Sequence, residues 1–186
     1  IAHDLGMKVW LHAPGGRRRD YGAAILSRHD ACLRDCTRVD ANDPHERIHL
    51  RASVAWHEAM IELAVVHLPS NRFASSPEAG DSARIAELTK ATAAKPRPDI
   101  VVGDMNCRPD SAPYRFMIDS GYIDGFAAAG GGVALSRRVD YMWLDGTCAT
   151  RLVRSAMLDS DDFHRLDAEG RDWSLSDHPP LLLELK

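Results

Sequence analysis

Asp104 and Asn106 stand two residues apart, directly after Gly103 and the apolar run Ile100-Val101-Val102. Side chains at i and i+2 of an extended chain point to the same side, so a carboxylate and a carboxamide share one surface here. Fixed at a rigid strand end, such a pair could hold a water, a metal ion or a phosphate oxygen. Asp and Asn after a strand also make Asx turns or cap the next helix, and this stretch alone does not separate the two readings. Three other short polar groups border apolar runs: Val66-His67-Leu68, Arg138-Val139-Asp140-Tyr141 and Ser176-Asp177-His178-Pro179.

A different chemistry is written at His45-Glu46-Arg47-Ile48-His49, which fits the H-E-x-x-H pattern of zinc peptidases. That pattern works only on a helix, where two imidazoles one turn apart meet a single zinc ion and the Glu activates water. Asp43-Pro44 could open a helix, and Ile48, Ala52, Ala55, Trp56 and Ala59 recur at near-helical spacing. Against this, Ile48, Leu50, Ala52, Val54 and Trp56 alternate with His49, Arg51 and Ser53, the period of a half-buried strand. On a strand the two histidines lie about 13 Å apart, too far to share a metal.

The elements that must position these groups follow from the same patterning. Met7 to Ala13 and Gly22 to Ser27 read as strands around an exposed loop carrying Arg17-Arg18-Arg19. Ile48 to Trp56 should pair antiparallel, across a turn at His57-Glu58-Ala59, with Met60 to Val66, which ends at His67. A polar loop from Pro69 to Gly80 precedes a helix from Asp81 or Ser82 to Ala94, and Lys95-Pro96-Arg97-Pro98 breaks that helix before the central strand. Ala112 to Ser120 is a second helix, opened by Asp110-Ser111 and stopped by Gly121. Val139 to Leu144, Arg151 to Leu158 and Pro180 to Leu185 are further strands, with Asp159 to Trp173 a charged loop long enough to touch a substrate. Gly130-Gly131-Gly132 lacks the spacing of a P-loop or a dinucleotide site and reads as a flexible loop.

The whole chain bounds these expectations. Its 186 residues form one domain by length, with ordinary apolar and charged fractions. A net charge of −4 argues against broad non-specific adhesion to nucleic acid, although Arg17 to Arg19 and Arg137-Arg138 could make local phosphate-binding patches. The four cysteines show neither paired CxxC spacing nor disulfide density, which argues against a stapled scaffold or structural zinc site and leaves the compartment unassigned. No apolar stretch is long enough for stable membrane insertion. The start, Ile1-Ala2-His3-Asp4-Leu5-Gly6, reads as the last turn of a helix closed by glycine.

Taken in order, His67-Leu68, Gly103-Asp104-Met105-Asn106, Arg138-Val139-Asp140-Tyr141 and Ser176-Asp177-His178 resemble the endonuclease/exonuclease/phosphatase superfamily. These metal-dependent phosphoesterases include DNase I-like nucleases, abasic-site endonucleases, bacterial sphingomyelinases and inositol phosphate phosphatases. Tyr21-Gly22-Ala23-Ala24-Ile25-Leu26-Ser27-Arg28 is similar to another of the family's strands, so the resemblance covers most of the chain. It implies an α+β fold: a four-layer α/β/β/α sandwich of two mostly antiparallel sheets flanked by helices. It also implies two preceding strands, bearing an Asn and a metal-binding Glu, which have no counterpart in these residues.

The resemblance further implies roles. His178, its ring held by Asp140, would contact a scissile phosphate or assist proton transfer. Asp104 would position or deprotonate the attacking water, Asn106 would hydrogen-bond phosphate, and His67 would donate to a phosphate oxygen. Asp177, with Asp104, would bind Mg²⁺ or Mn²⁺. Arg47 and Arg84 would meet the substrate, although Arg84 reads equally as a solvated helix residue. The expected activity is hydrolysis of a phosphodiester or phosphomonoester in nucleic acid, a lipid head group or a small molecule, by a monomer. A silent binding module of the same fold is the alternative, with the zinc peptidase behind it.

Overall fold

The computed structural model describes residues 2–14, 22–36, 48–130, 138–158, 164–174 and 176–186. Arg17 to Arg19, Arg47, His45-Glu46, Gly131-Gly132 and Arg137 lie outside the described residues.

A six-stranded sheet organises the molecule. Its strands are β3 (Ala31–Cys36), β4 (Ile48–Trp56), β5 (Ala59–His67), β6 (Ile100–Asp104), β7 (Ile123–Asp124) and β8 (Asp140–Leu144), in the spatial order β3-β4-β5-β6-β8-β7. Every neighbouring pair is antiparallel except β5 and β6. That parallel pair needs a crossover, and α1 (Pro77–Ala93) supplies it. Helix α2 (Ala112–Asp119) packs beside α1 on the same face, where Leu88, Ala91 and Met117 meet Ala64, Val66, Val101, Tyr141 and Trp143.

The opposite face of the sheet receives two two-stranded antiparallel sheets. Strands β1 (Val9–Pro14) and β2 (Gly22–Ser27) bring Ala23 and Ile25 onto Ile48, Leu50 and Val65. Strands β9 (Leu152–Met157) and β12 (Leu181–Leu185) bring Leu152, Leu183 and Leu185 onto Ile100, Leu144, Ile61, Leu63 and Val102. The result is the expected α+β sandwich, with helices on one side of the main sheet and strands on the other. Short helices α3 (Gly125–Ala128) and α4 (Gly146–Ala149) complete the turns around β8. Among the described residues no helix is long and apolar enough to cross a membrane.

The antiparallel pairing of β4 with β5 runs from Ile48↔His67 to Trp56↔Ala59, as the alternation predicts. His49 therefore lies in a strand, and the helical requirement of the zinc-peptidase pattern fails at its last residue. The half-buried description of β4 needs correction: Arg51 is 7% exposed and Ser53 is fully buried. Arg34 of β3 and Glu62 of β5 hydrogen-bond to Ser53, and the carbonyl of Pro96 accepts from Arg51 at 2.6 Å. Ser53 and the outer end of Arg51 thus find partners inside the protein, where alternation alone suggests solvent.

Helix α1 begins four residues before the expected start. The hydroxyl of Ser76 accepts from the Ala79 amide, and Pro77 takes the first turn, where its missing N–H costs nothing. Ahead of β1, the Gly6 amide (φ +64°) donates to the His3 carbonyl and the Met7 amide to that of Ala2, the bond pair that closes a helix at a glycine. Strand β3 escapes the patterning because it is an edge strand, four of whose six residues are exposed. The segment expected as a charged loop contains a small hairpin, β10 (His164–Leu166) with β11 (Asp172–Ser174), turned by Asp167, whose carboxylate accepts from the Glu169 and Arg171 amides.

Candidate active site

Period-two geometry carries three core rows out to one rim. Ile61, Leu63 and Val65 lead to His67 on β5; Ile100 and Val102 lead to Asp104 on β6; Leu144 and Met142 lead to Asp140 on β8. The register then aligns the three ends, with His67 opposite Asp104 and Asp104 opposite Asp140. Neighbouring strands lie about 4.8 Å apart, so the two carboxylates and the imidazole form a row across three strands. His178 arrives from the segment before β12.

Within this row, Nδ1 of His178 is 2.7 Å from Oδ2 of Asp140. Nε2 of His67 is 3.5 Å from Oδ2 of Asp104. Burial pushes the Asp140 carboxyl upward, and the like charge of Asp104 adds to this, while the His178 ring opposes it. Burial alone would lower His178, but the Asp140 carboxylate and its hydrogen bond, helped by Asp104 and Asp177, hold the imidazole above its ordinary value. The negative charge of Asp104 contributes to both shifts, disfavouring a second carboxylate beside it and favouring the cationic ring. Nδ1 facing the carboxylate leaves Nε2 as the reactive nitrogen.

Asn106 adopts a left-handed conformation (φ +47°) after Gly103 lets the chain turn. Its amide N–H donates to Oδ1 of Asp104 at 2.7 Å, an Asx-type turn. Its carboxamide nitrogen donates to the Leu68 carbonyl at 2.9 Å and to Oδ2 of Asp104 at 3.1 Å. Both readings of this stretch therefore hold at once: the turn exists, and it aims a carboxylate into the site. In this structure both carboxamide hydrogens are engaged, and the residue orients Asp104.

Arg138, Val139, Asp140, Met157, Asp177, His178 and Pro179 line a cavity of about 280 Å³ beside this row. Asp177 is exposed at its edge. Arg84 does not reach it. Its side chain is 1% exposed, and it donates to the Pro69 carbonyl at 2.9 Å, to Asn71 at 2.8 Å and to Asp81 at 2.6 Å. The expected substrate contact is corrected: Arg84 pins the loop after His67 to α1. Sequence reasoning missed the partner of Arg138, which is Asp124; the carboxylate and guanidinium are both 2% exposed and bonded through two nitrogens. The signal was the Tyr122-Ile123-Asp124-Gly125 punctuation after α2, a strand-to-helix junction with an N-cap residue.

A divalent cation was expected at Asp177 and Asp104. Among the described residues, no three His, Cys, Asp or Glu side chains are grouped to hold a metal ion by themselves. Oxygen donors on Asp177 and Asp104 suit a hard cation that keeps waters and shares substrate oxygens, the usual manner of Mg²⁺.

The model of the Endonuclease/Exonuclease/phosphatase family matches residues 2–178. Among solved structures, a 3′ phosphatase from Neisseria bound to a product DNA hairpin superposes with a TM-score of 0.63 at 16% identity, over 100% of this chain and 81% of its own. A mannosyl-6-phosphatase from Bacteroides thetaiotaomicron gives 0.64 at 15% identity, over 100% and 80%. The beta toxin of Staphylococcus aureus gives 0.60 at 14% identity, over 88% and 67%. Identities this low establish a shared fold. A search of curated proteins found no match.

Proposed function

This chain belongs to the endonuclease/exonuclease/phosphatase family, and from that premise we propose that it hydrolyses a phosphoester by in-line attack of water at the rim formed by His67, Asp104, Asp140 and His178. The observation that carries the reading is the alignment of His67, Asp104 and Asp140 across three strands, with His178 held at 2.7 Å by Asp140.

A phosphoester resists water because its anionic oxygens repel the nucleophile, so the site must orient the water, take its proton and offset charge on phosphorus. Asp104, oriented by Asn106, takes the proton of the attacking water. His178 presents Nε2 to the phosphoryl oxygens, and Asp140 holds its tautomer and favours its cationic form. His67 donates to a second phosphoryl oxygen as charge develops. Asp177 and Asp104 would hold Mg²⁺ or Mn²⁺. A bound cation of this kind supplies further charge neutralisation, worth several kcal/mol in such reactions.

The solved relatives are named for different phosphoesters, a DNA 3′ end and a sugar phosphate among them. One fold serves many substrates, so the substrate is settled by assay. The test is a panel with Mg²⁺ or Mn²⁺: bis-p-nitrophenyl phosphate, a 3′-phosphorylated oligonucleotide, a sugar phosphate and sphingomyelin vesicles, each against the parent protein and His178→Ala. Turnover of at least one ester, lost in the variant, is the expected result. Turnover insensitive to His178 would overturn the assignment of roles. Phosphoester binding without turnover would favour the silent module.

A further inference from the structure

The chain leaves β6 through Met105-Asn106-Cys107 and enters β8 through Arg138-Val139, so the two site carboxylates hang on two segments that run side by side. Two links join them. The Met105 amide donates to the Val139 carbonyl at 2.9 Å. The Tyr141 hydroxyl lies 3.1 Å from the Cys107 carbonyl and 3.2 Å from that of Arg138, sharing its proton between them. Tyr141 is fully buried, and its ring stacks on Trp143 at 5.6 Å.

Arg138 is fixed in its turn. Its guanidinium lies 4.3 Å from the Tyr141 ring centre and 5.1 Å from that of Phe126. It grips both carboxylate oxygens of Asp124, and those oxygens also accept from the Tyr114 hydroxyl and the Phe126 and Ala127 amides. A buried ion pair adds little stability over apolar groups of the same volume, but a planar two-point grip fixes translation and rotation together. The backbone so fixed is two residues from Asp140, and Arg138 lines the same cavity as Asp140 and His178.

We propose that Asp124, Arg138 and Tyr141 are a positioning unit that sets Asp104 against the Asp140–His178 pair, none of the three touching substrate. The inference rests on the phosphoester reading for its effect on rate, and on geometry for its effect on the pair. A displacement of about 1 Å between acting groups can lower turnover about a hundredfold while leaving binding intact.

The experiment compares the parent with Tyr141→Phe and Arg138→Lys. Tyr141→Phe keeps the stacked ring and removes only the shared proton; Arg138→Lys keeps the charge and removes the two-point grip. Three readouts are taken: melting temperature, kcat and KM for bis-p-nitrophenyl phosphate with Mg²⁺, and the ring ¹⁵N shifts of His178 at fixed pH, which report its tautomer and hydrogen bond. The expected result, for a variant still folded at the assay temperature, is a fall in kcat of about tenfold or more with KM within about twofold, together with moved His178 shifts. A lowered melting temperature with unchanged kcat and unchanged shifts in both variants would overturn the proposal, since the residues would then be structural only. If the parent turns over no phosphoester, the functional reading fails while the His178 shifts still decide the positioning: moved shifts support it, unmoved shifts overturn it.

Discussion

A Cβ placed on Gly103 would lie 1.9 Å from the carbonyl oxygen of Val66. The parallel pair β5 and β6 closes at this point, one residue before His67 and Asp104 come opposite each other. Gly103 also holds φ at +134°, a conformation that side chains rarely adopt. Gly103→Ala should therefore cost about 3 kcal/mol or more, combining strained backbone with a clash that no side chain can relieve. Urea unfolding measures it, and a loss below about 1 kcal/mol would show that the strands separate here at little cost.

Arg84 gives a second test, one that separates architecture from substrate contact. Its guanidinium is buried and bonded to Pro69, Asn71 and Asp81. Arg84→Ala should destabilise the protein by about 2–4 kcal/mol, since truncation strands a carbonyl and opens a void. The KM of any phosphoester found in the panel should stay within about twofold at a temperature where the variant is folded. A large rise in KM with unchanged melting temperature would restore the substrate-contact reading.

Where the sequence was legible, one period carried both the core and the site. The alternation that packs Leu63 and Val65 against the core delivers His67, and the run that packs Ile100 and Val102 there delivers Asp104, so strand patterning and motif agree. What stayed hidden depends on contacts distant in sequence. Nothing local to Arg51 or Ser53 announces that Arg34 and Pro96 will cover them. Arg84 reads as a solvated helix residue until the loop at Pro69 folds over it. Asp124 reads as a cap, which it is, but its grip on Arg138 spans fourteen residues of sequence.

His49 makes a prediction about stability and pH. It lies half-buried on β4, and its Nε2 has no hydrogen-bond partner. Burial lowers its pKa below the ordinary 6.5, and Arg51 and Lys90 push the same way against Asp35 and Glu87. The unfolded chain therefore takes up a proton at this site before the folded one does. Its effect is absent above the unfolded value, grows as pH falls below about 6.5, and levels off below the folded value. His49→Asn should remove that part of the slope: the parent should lose more stability than the variant between pH 7 and pH 5 in parallel urea titrations. Identical slopes would show that His49 titrates as it does in the unfolded chain.

The last prediction concerns how activity depends on pH. Burial acts to lower His178, but the Asp140 carboxylate at 2.7 Å and its hydrogen bond, together with Asp104 and Asp177, hold it above its ordinary value. If the cationic ring is the form that meets phosphate, activity should persist above pH 6.5 and fall as pH rises through the raised value. Asp140→Asn keeps the shape and removes the charge. Burial then acts with less opposition, so the alkaline limb of the profile should move to lower pH, and kcat at neutral pH should drop by about tenfold or more. The profile of log kcat against pH for both proteins, with bis-p-nitrophenyl phosphate and constant Mg²⁺, measures the shift. A limb that stays in place while kcat falls would show that Asp140 orients His178 without setting its charge, and a limb that moves upward would reverse the electrostatics argued here.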